Sequence, residues 1–219
     1  MNGRHFWRSG AVLSAVLLLS ACATTSPWRV PYSIVPAAAS GPSAASTLQG
    51  RTAAAILPVL RLAPVTAPEW LQGHDFHYRL LYENPQQALY YRDARWVGTP
   101  AQMMGDLLQG QLMDEGQWQA VLAPTSTGKA KLLLQVRLND FTLDFSAPRQ
   151  GVAQVAGEAT LVDAQNYRVL GQQRFAFRAP AIPANPDGGA LAMTRAGRAF
   201  AKAVSQWAER VARHSMPGG

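Results

Sequence analysis

The sequence predicts an α+β fold, a single domain in which a mostly antiparallel sheet carries two main helices on one face. Three observations point there. Residues 131–141 alternate, with Leu132, Leu134, Val136 and Leu138 on one side and Gln135, Arg137 and Asn139 on the other, the signature of a strand with one buried face. Residues 99–116 carry helix start and stop signals. Near the C-terminus, Met193, Phe200, Val204, Trp207 and Val211 form an apolar stripe at helical spacing. Composition agrees: 219 residues at 48% hydrophobic and 15% charged suffice for one moderate core and exclude wholesale disorder. A single cysteine excludes an intramolecular disulfide, a zinc ribbon and a CxxC redox site.

The chain opens with an export address. Arg4, His5 and Arg8 form a positive region, Ala11 to Leu19 an apolar run of nine residues, and Ser20 and Ala21 a small-residue stretch, together a secretory signal over residues 1–21. Nine helical residues rise about 14 Å, far short of the ~20 residues that span a bilayer. Leu19-Ser20-Ala21-Cys22 resembles the bacterial lipobox, in which the cysteine thiol becomes a thioether to diacylglycerol and, once the preceding peptide is cut, the new amine is acylated with a chain such as palmitate. Cys22 is therefore the expected lipidation site. One acyl chain binds a membrane marginally and two signals anchor it stably, so three should hold the protein on the bilayer. Ala23 rather than Asp follows the cysteine, which by resemblance to Gram-negative lipoproteins implies the periplasmic face of the outer membrane.

Removing residues 1–21 leaves 18 basic against 13 acidic residues, a charge of +5 where the full chain has +7. The basic residues are scattered singly, so no nucleic-acid partner is expected. Residues 22–53 are rich in Ala, Ser, Thr and Pro and read as a lipidated N-terminus and flexible tether, with residues 36–52 the connector. Val30–Val35 is a candidate edge strand, because Pro31 and Pro36 are tolerated at an edge.

The folded domain is expected over residues 54–212. Ile56–Ala63 reads as a strand that Pro58 again places at an edge, and Pro64 and Pro68 end it. Phe76–Tyr82 and Ala88–Tyr91 read as a hairpin around Asn84-Pro85. Thr99, Pro100 and Gln102 form a capping box at the start of a helix that runs through Met104, Leu107, Leu108 and Leu112 to Gly116. After Leu138 the apolar parity shifts to Phe141, Leu143 and Phe145, which one extra residue near Asn139-Asp140 explains as a bulge. Gly151–Asp163 and Arg168–Arg178 form a second hairpin. A loop over Ala179–Gly189 leads to the last helix, and residues 213–219 are expected to fray as a disordered tail.

Sites of chemistry are scarce. His74 and His77 precede or start a strand, where a spacing of three puts them on opposite faces, so no metal site is expected there. No G-x-S-x-G elbow, P-loop or other cofactor motif occurs, and Gly188-Gly189 is an isolated pair. Asp140 with Asp144, and Asp114 beside Glu115, are the close carboxylate pairs; placed around a bulge and loop, the first pair is expected to be solvated. Neither catalysis nor a cofactor is expected. Tyr78, Tyr82, Tyr90, Tyr91 and Trp96 instead cluster with Arg79, Arg92 and Arg95, a composition that protein interfaces favour. Strand alternation sends about half of them to the core. Tyr90, Tyr91, Arg95 and Trp96 are the candidate partner interface.

The order of these pieces resembles a known family. A lipobox, Tyr32-Ser-Ile34, Leu60-Arg-Leu-Ala-Pro-Val65, Trp70-Leu71, Tyr90-Tyr91, Arg95-Trp96, Leu132 to Leu138-Asn-Asp-Phe141 and a closing helix with Trp207 are similar to the ABC-type transport auxiliary lipoproteins, the family of the paraquat-inducible PqiC (YmbA-like) lipoprotein. The resemblance spans nearly the whole mature chain. It implies a non-catalytic outer-membrane component working beside an ABC transporter and an MCE-domain protein that bridges the envelope, in lipid transport between membranes. It carries over no catalytic residue and leaves a homo-oligomer open. An outer-membrane assembly or peptidoglycan-associated lipoprotein would share the anchor, and a periplasmic hydrolase would need polar groups converging in a pocket.

Overall fold

The structure is a computed structural model that describes residues 28–34 and 57–215. Cys22, the connector 36–52 and the last four residues of the expected tail lie outside them. Eight strands form one sheet: β1 (Val30–Tyr32), β2 (Leu60–Leu62), β3 (Asp75–Leu80), β4 (Leu89–Trp96), β5 (Val121–Leu122), β6 (Leu132–Ala147), β7 (Gln150–Asp163) and β8 (Val169–Ala181). Helix α1 covers Pro100–Glu115 and α2 covers Pro186–Ser215, with a single turn of 3₁₀ helix at Glu69–Leu71.

The centre is β6, sixteen residues long. One edge pairs antiparallel with β7, which pairs antiparallel with β8. The other edge is shared by two shorter pieces. Leu60–Leu62 run parallel to Leu132–Leu134, and Tyr78–Leu80 run parallel to Leu143–Phe145. Between them, Thr66 forms a parallel bridge with Arg137. Residues 60–80 thus follow β6 in its own direction, interrupted by the excursion that Pro64 and Pro68 begin. β3 continues antiparallel to β4, whose outer edge takes β1 in parallel, and β2 takes the short β5 in parallel. The sheet is therefore mixed, not mostly antiparallel. Adjacent strands joined by turns are antiparallel as expected. The parallel pairs join segments far apart in sequence, whose direction no local turn determines.

The expected parity change on β6 is present as a bulge: Leu138 faces Gly157 and Asp140 faces Ala156, leaving Asn139 as the extra residue. Its effect is to put Phe141, Leu143 and Phe145 on the buried face with Leu132, Leu134, Val136 and Leu138. At α1, Gln102 N–H donates to Thr99 Oγ1 at 3.2 Å, and Thr99 N–H donates to Gln102 Oε1 at 3.0 Å, completing the capping box. Gly116 ends the helix at φ 61°, the left-handed conformation that glycine takes without penalty.

The anticipated loop 179–189 shrinks to residues 182–185, because β8 continues to Ala181 and α2 begins at Pro186. Asn185 Oδ1 accepts from Gly188 N–H at 3.0 Å, so Asn185 starts the helix where the glycine pair suggested a loop. Gly188 is needed for close approach: a Cβ there would overlap the Pro183 carbonyl oxygen. α2 also runs through Arg213 to Ser215, where fraying was expected.

Both helices lie on the same face of the sheet. Met104 and Leu107 of α1 face Gly197 of α2, with Ile34 beside them. Phe175 of β8 meets Phe200 and Trp207 of α2 edge-on at 5.9 and 6.0 Å. A second aromatic stack continues the core under β3 and β4: Phe76 on Trp96 at 4.3 Å, and Trp96 against Phe141 at 5.3 Å.

Candidate functional site

Strand β4 divides the candidate interface residues between two environments. Asp75 pairs with Arg95 but His77 pairs with Tyr90, so β4 carries a pronounced irregularity between these points. Tyr90 is 55% exposed and Arg95 is exposed. Tyr91 is half-buried, packed on Phe76 at 5.4 Å and Tyr78 at 4.6 Å, and burial followed by the neighbouring Tyr78 pushes its hydroxyl pKa up to about 12. Trp96 is only 1% exposed. It belongs to the core, and no partner can touch it. The reason is the alternation of β4 beyond the irregularity, which turns Ala94 and Trp96 inward.

β1 is bound to the domain by side chains on both flanks. Arg29 pairs with Asp75 at 3.0 Å and lies over the Tyr90 ring at 6.0 Å. Tyr32 donates to Asp187 at 2.6 Å, joining β1 to the first turn of α2. Burial, then the hydrogen bond and charge of Asp187, pushes the Tyr32 hydroxyl up to about 12. Ile34 is buried at 3% exposure.

On the face opposite the helices sits a charged cluster that the sequence reading placed in solvent. Asp140, Thr142 and Asp144 alternate along β6 and are all buried. Arg79 of the neighbouring β3 donates through Nε to Asp144 Oδ1 at 2.7 Å and through Nη2 to Asp140 Oδ2 at 2.6 Å and Thr142 Oγ1 at 2.8 Å. The Thr142 hydroxyl lies 2.7 Å from Asp140 Oδ1 and 3.0 Å from Asp144 Oδ1. Gln154 donates to Asp140 at 3.0 Å and accepts from Arg178 at 2.9 Å. Burial pulls the Arg79 pKa down, but hydrogen bonds and charge from Asp144 and Asp140 outweigh it and leave the guanidinium above its ordinary value. The carboxylates are engaged by fixed donors, an arrangement that ties β3 to β6 and β7. Arg79 is accordingly a clamp, and not part of an exposed aromatic–arginine surface.

The remaining candidates separate. His74 Nδ1 contacts the Trp96 carbonyl at 3.2 Å, whereas His77 stands edge-on to Trp70 at 5.4 Å. Among the described residues no three His, Cys, Asp or Glu side chains could hold a metal together. Asp114 is exposed, but Glu115 faces α2, where it accepts from the Ser205 hydroxyl and lies beside Glu209. This pair of acids across α1 and α2 was not visible in the sequence. Burial, the hydrogen bond with Glu115 and its charge raise the Glu209 pKa to about 7, against opposing pulls from Arg213 and Arg210. A carboxyl group with a raised folded-state pKa stabilises the fold most below its unfolded value and loses that contribution as pH rises through about 7. Glu209→Gln should therefore gain about 1 kcal/mol at pH 8, after allowance for solvent screening, and almost nothing at pH 4. Urea unfolding at the two pH values checks this.

A cleft of about 440 Å³ beside β6 is lined by Pro64, Thr66, Gln135, Arg137, Glu158 and Thr160, and another of about 470 Å³ by Ser33, Ile34, Val97, Gln102 and Asp106. In the first, Glu158 lies 4.0 Å from Arg137 and 3.9 Å from Arg174. The geometry offers binding surfaces and structural ion pairs.

The model of the ABC-type transport auxiliary lipoprotein component matches residues 39–212. The chain belongs to that family. This auxiliary lipoprotein shares its fold with the XCC0632 protein of Xanthomonas campestris, assigned to DUF330, at a TM-score of 0.66 and 18% identity, over 73% of this chain and 89% of that one. A second crystal structure, of an uncharacterized protein, matches at a TM-score of 0.54 and 18% identity over 73% and 92% of the two chains. A search of curated proteins finds no match. Among the described residues of the auxiliary lipoprotein, no helix is long and apolar enough to cross a membrane.

Proposed function

We propose that this ABC-type transport auxiliary lipoprotein is anchored through acylated Cys22 to the periplasmic face of the outer membrane. There it serves as the non-catalytic docking component of an MCE-type ABC transport system that moves lipids between membranes. Family membership across residues 39–212 carries the reading, and the lipobox at Leu19–Cys22 supports the anchor. The anchor raises the domain's effective concentration near any bridging protein that reaches the same membrane. Contact falls to Tyr90 and Arg95, exposed on β4, while half-buried Tyr91 and buried Trp96 pack into the core on the other face of the strand.

The test is crosslinking in cells from a photoreactive residue at position 90, followed by identification of the captured protein. An MCE-domain protein is expected. Exclusive capture of outer-membrane assembly or peptidoglycan-binding components would replace this reading. Cys22→Ala should leave the domain folded but release it from the outer-membrane fraction, which fractionation reads directly. Tyr90→Ala with Arg95→Ala should weaken capture while leaving stability within about 0.5 kcal/mol of wild type.

A further inference from the structure

The strand directions place widely separated loops at one end of the sheet. The turn after β3, the β6–β7 turn and the exit of β8 all lie there, because β3, β6 and β8 run towards that end while β4 and β7 start from it; β1 runs parallel to β4 but joins it only at Ala94, level with the start of β3, so that the chain preceding Val30 comes from the side of this end. Among the described residues, twelve large hydrophobic side chains are exposed, and four of them belong to this end, Leu81, Tyr82, Tyr90 and Ile182, while Trp28 lies two residues before β1 on the side towards it. Trp28 is 95% exposed and Ile182 77%. Between them the β6–β7 turn presents the exposed Arg149, and Arg92 on β4 is exposed as well, with Glu83 the acid of the β3–β4 turn.

We propose that this end of the sheet is the surface on which the domain rests against the phospholipid bilayer, with Trp28, Leu81, Tyr82 and Ile182 at the headgroup–acyl boundary. The inference rests on acylation of Cys22, as in the function proposed above. Its physical basis is reach. Trp28 is six residues after Cys22, a span of at most about 22 Å even when fully extended. From the level of Val30, which the strand registers put near Val155 of β7, eight further residues of β7, about 26 Å, run to its far end at Asp163, and Trp28 lies on the other side of Val30. The domain cannot turn its far end, where Tyr167 stands in the β7–β8 turn, to the same membrane while the anchor is in place. Residue type agrees with position. Tryptophan and tyrosine settle at membrane interfaces, where an apolar ring and a polar edge are both accommodated, and arginine beside them meets lipid phosphates. The pairs Arg29–Asp75 and Tyr32–Asp187 pass the constraint on to the body of the domain, because β1 cannot swing away from the sheet on its own.

The test uses the full mature chain, purified with its native modification and reconstituted into phosphatidylethanolamine–phosphatidylglycerol vesicles. Spin labels are placed at Ile182→Cys and, as the far-end control, at Tyr167→Cys, both exposed positions that tolerate a label. The label at position 182 should be several-fold more accessible to oxygen, relative to a water-soluble nickel chelate, than the label at position 167. Equal accessibility ratios in an acylated, vesicle-bound chain would overturn the seating surface and leave the anchor intact. Intact mass separates the two failures: an unacylated chain removes the anchor and the seating together. Brominated lipids supply a second reading, since they should quench part of the tryptophan fluorescence and Trp28→Phe should abolish that part. Quenching that survives the substitution counts against the proposed orientation.

Discussion

Arg79→Ala should destabilise the domain by about 3–5 kcal/mol, the cost of leaving buried carboxylates without their cation. The side chains of Asp140 and Asp144 are only 13% and 11% exposed, and Arg79 is the cation bonded to both. Gln154 and Thr142 would remain, but neutral donors cannot replace a guanidinium bound at 2.6 and 2.7 Å. Thermal unfolding should fall by about 10 °C for a domain of this size. Replacing both aspartates by asparagine in the same variant should restore much of the loss, because no uncompensated charge is then buried. An Arg79→Ala variant as stable as wild type would mean that water reaches the cluster freely.

Trp96→Ala should cost a similar amount, about 3–5 kcal/mol, through the cavity it opens between Phe76 and Phe141. Trp96→Phe should cost less than about 1.5 kcal/mol: it keeps an aromatic ring in the stack, and the indole Nε1 that it removes has no hydrogen-bond partner. Tyr90→Ala, six residues away on the same strand, should scarcely move the midpoint. Equilibrium urea unfolding of the three variants distinguishes a core residue from a surface one. The contrast matters for function, because loss of partner capture in a Trp96 variant reports unfolding, whereas loss in a Tyr90 variant reports contact.

What could be read from residue order was local. The capping box at Thr99–Gln102, the stop at Gly116, both hairpins and the bulge at Asn139 each depend on a few neighbouring residues, and each is present. The β6 bulge shows how far a pattern can reach: a shift in apolar parity over seven residues located an irregularity that the β7 register confirms. Errors arose where the answer lay in another segment. Asp140 and Asp144 looked solvated because Arg79 lies about sixty residues upstream, and nothing near them announces a cation. Trp96 looked available for docking because the irregularity in β4 resets which residues face inward. Glu115 and Glu209 meet only because α1 and α2 pack together.

The sequence by itself determined the α+β class, the two helices and both ends of the first, the lipobox and the resemblance to the auxiliary lipoproteins, all of which rest on short-range spacing or on motif order. Only the tertiary structure decided the parallel pairing of residues 60–80 with β6, the burial of the Arg79 cluster, and the gathering of Leu81, Tyr82 and Ile182 at one end. Strand direction and the meeting of distant side chains depend on where the whole chain closes upon itself, and no local preference encodes that.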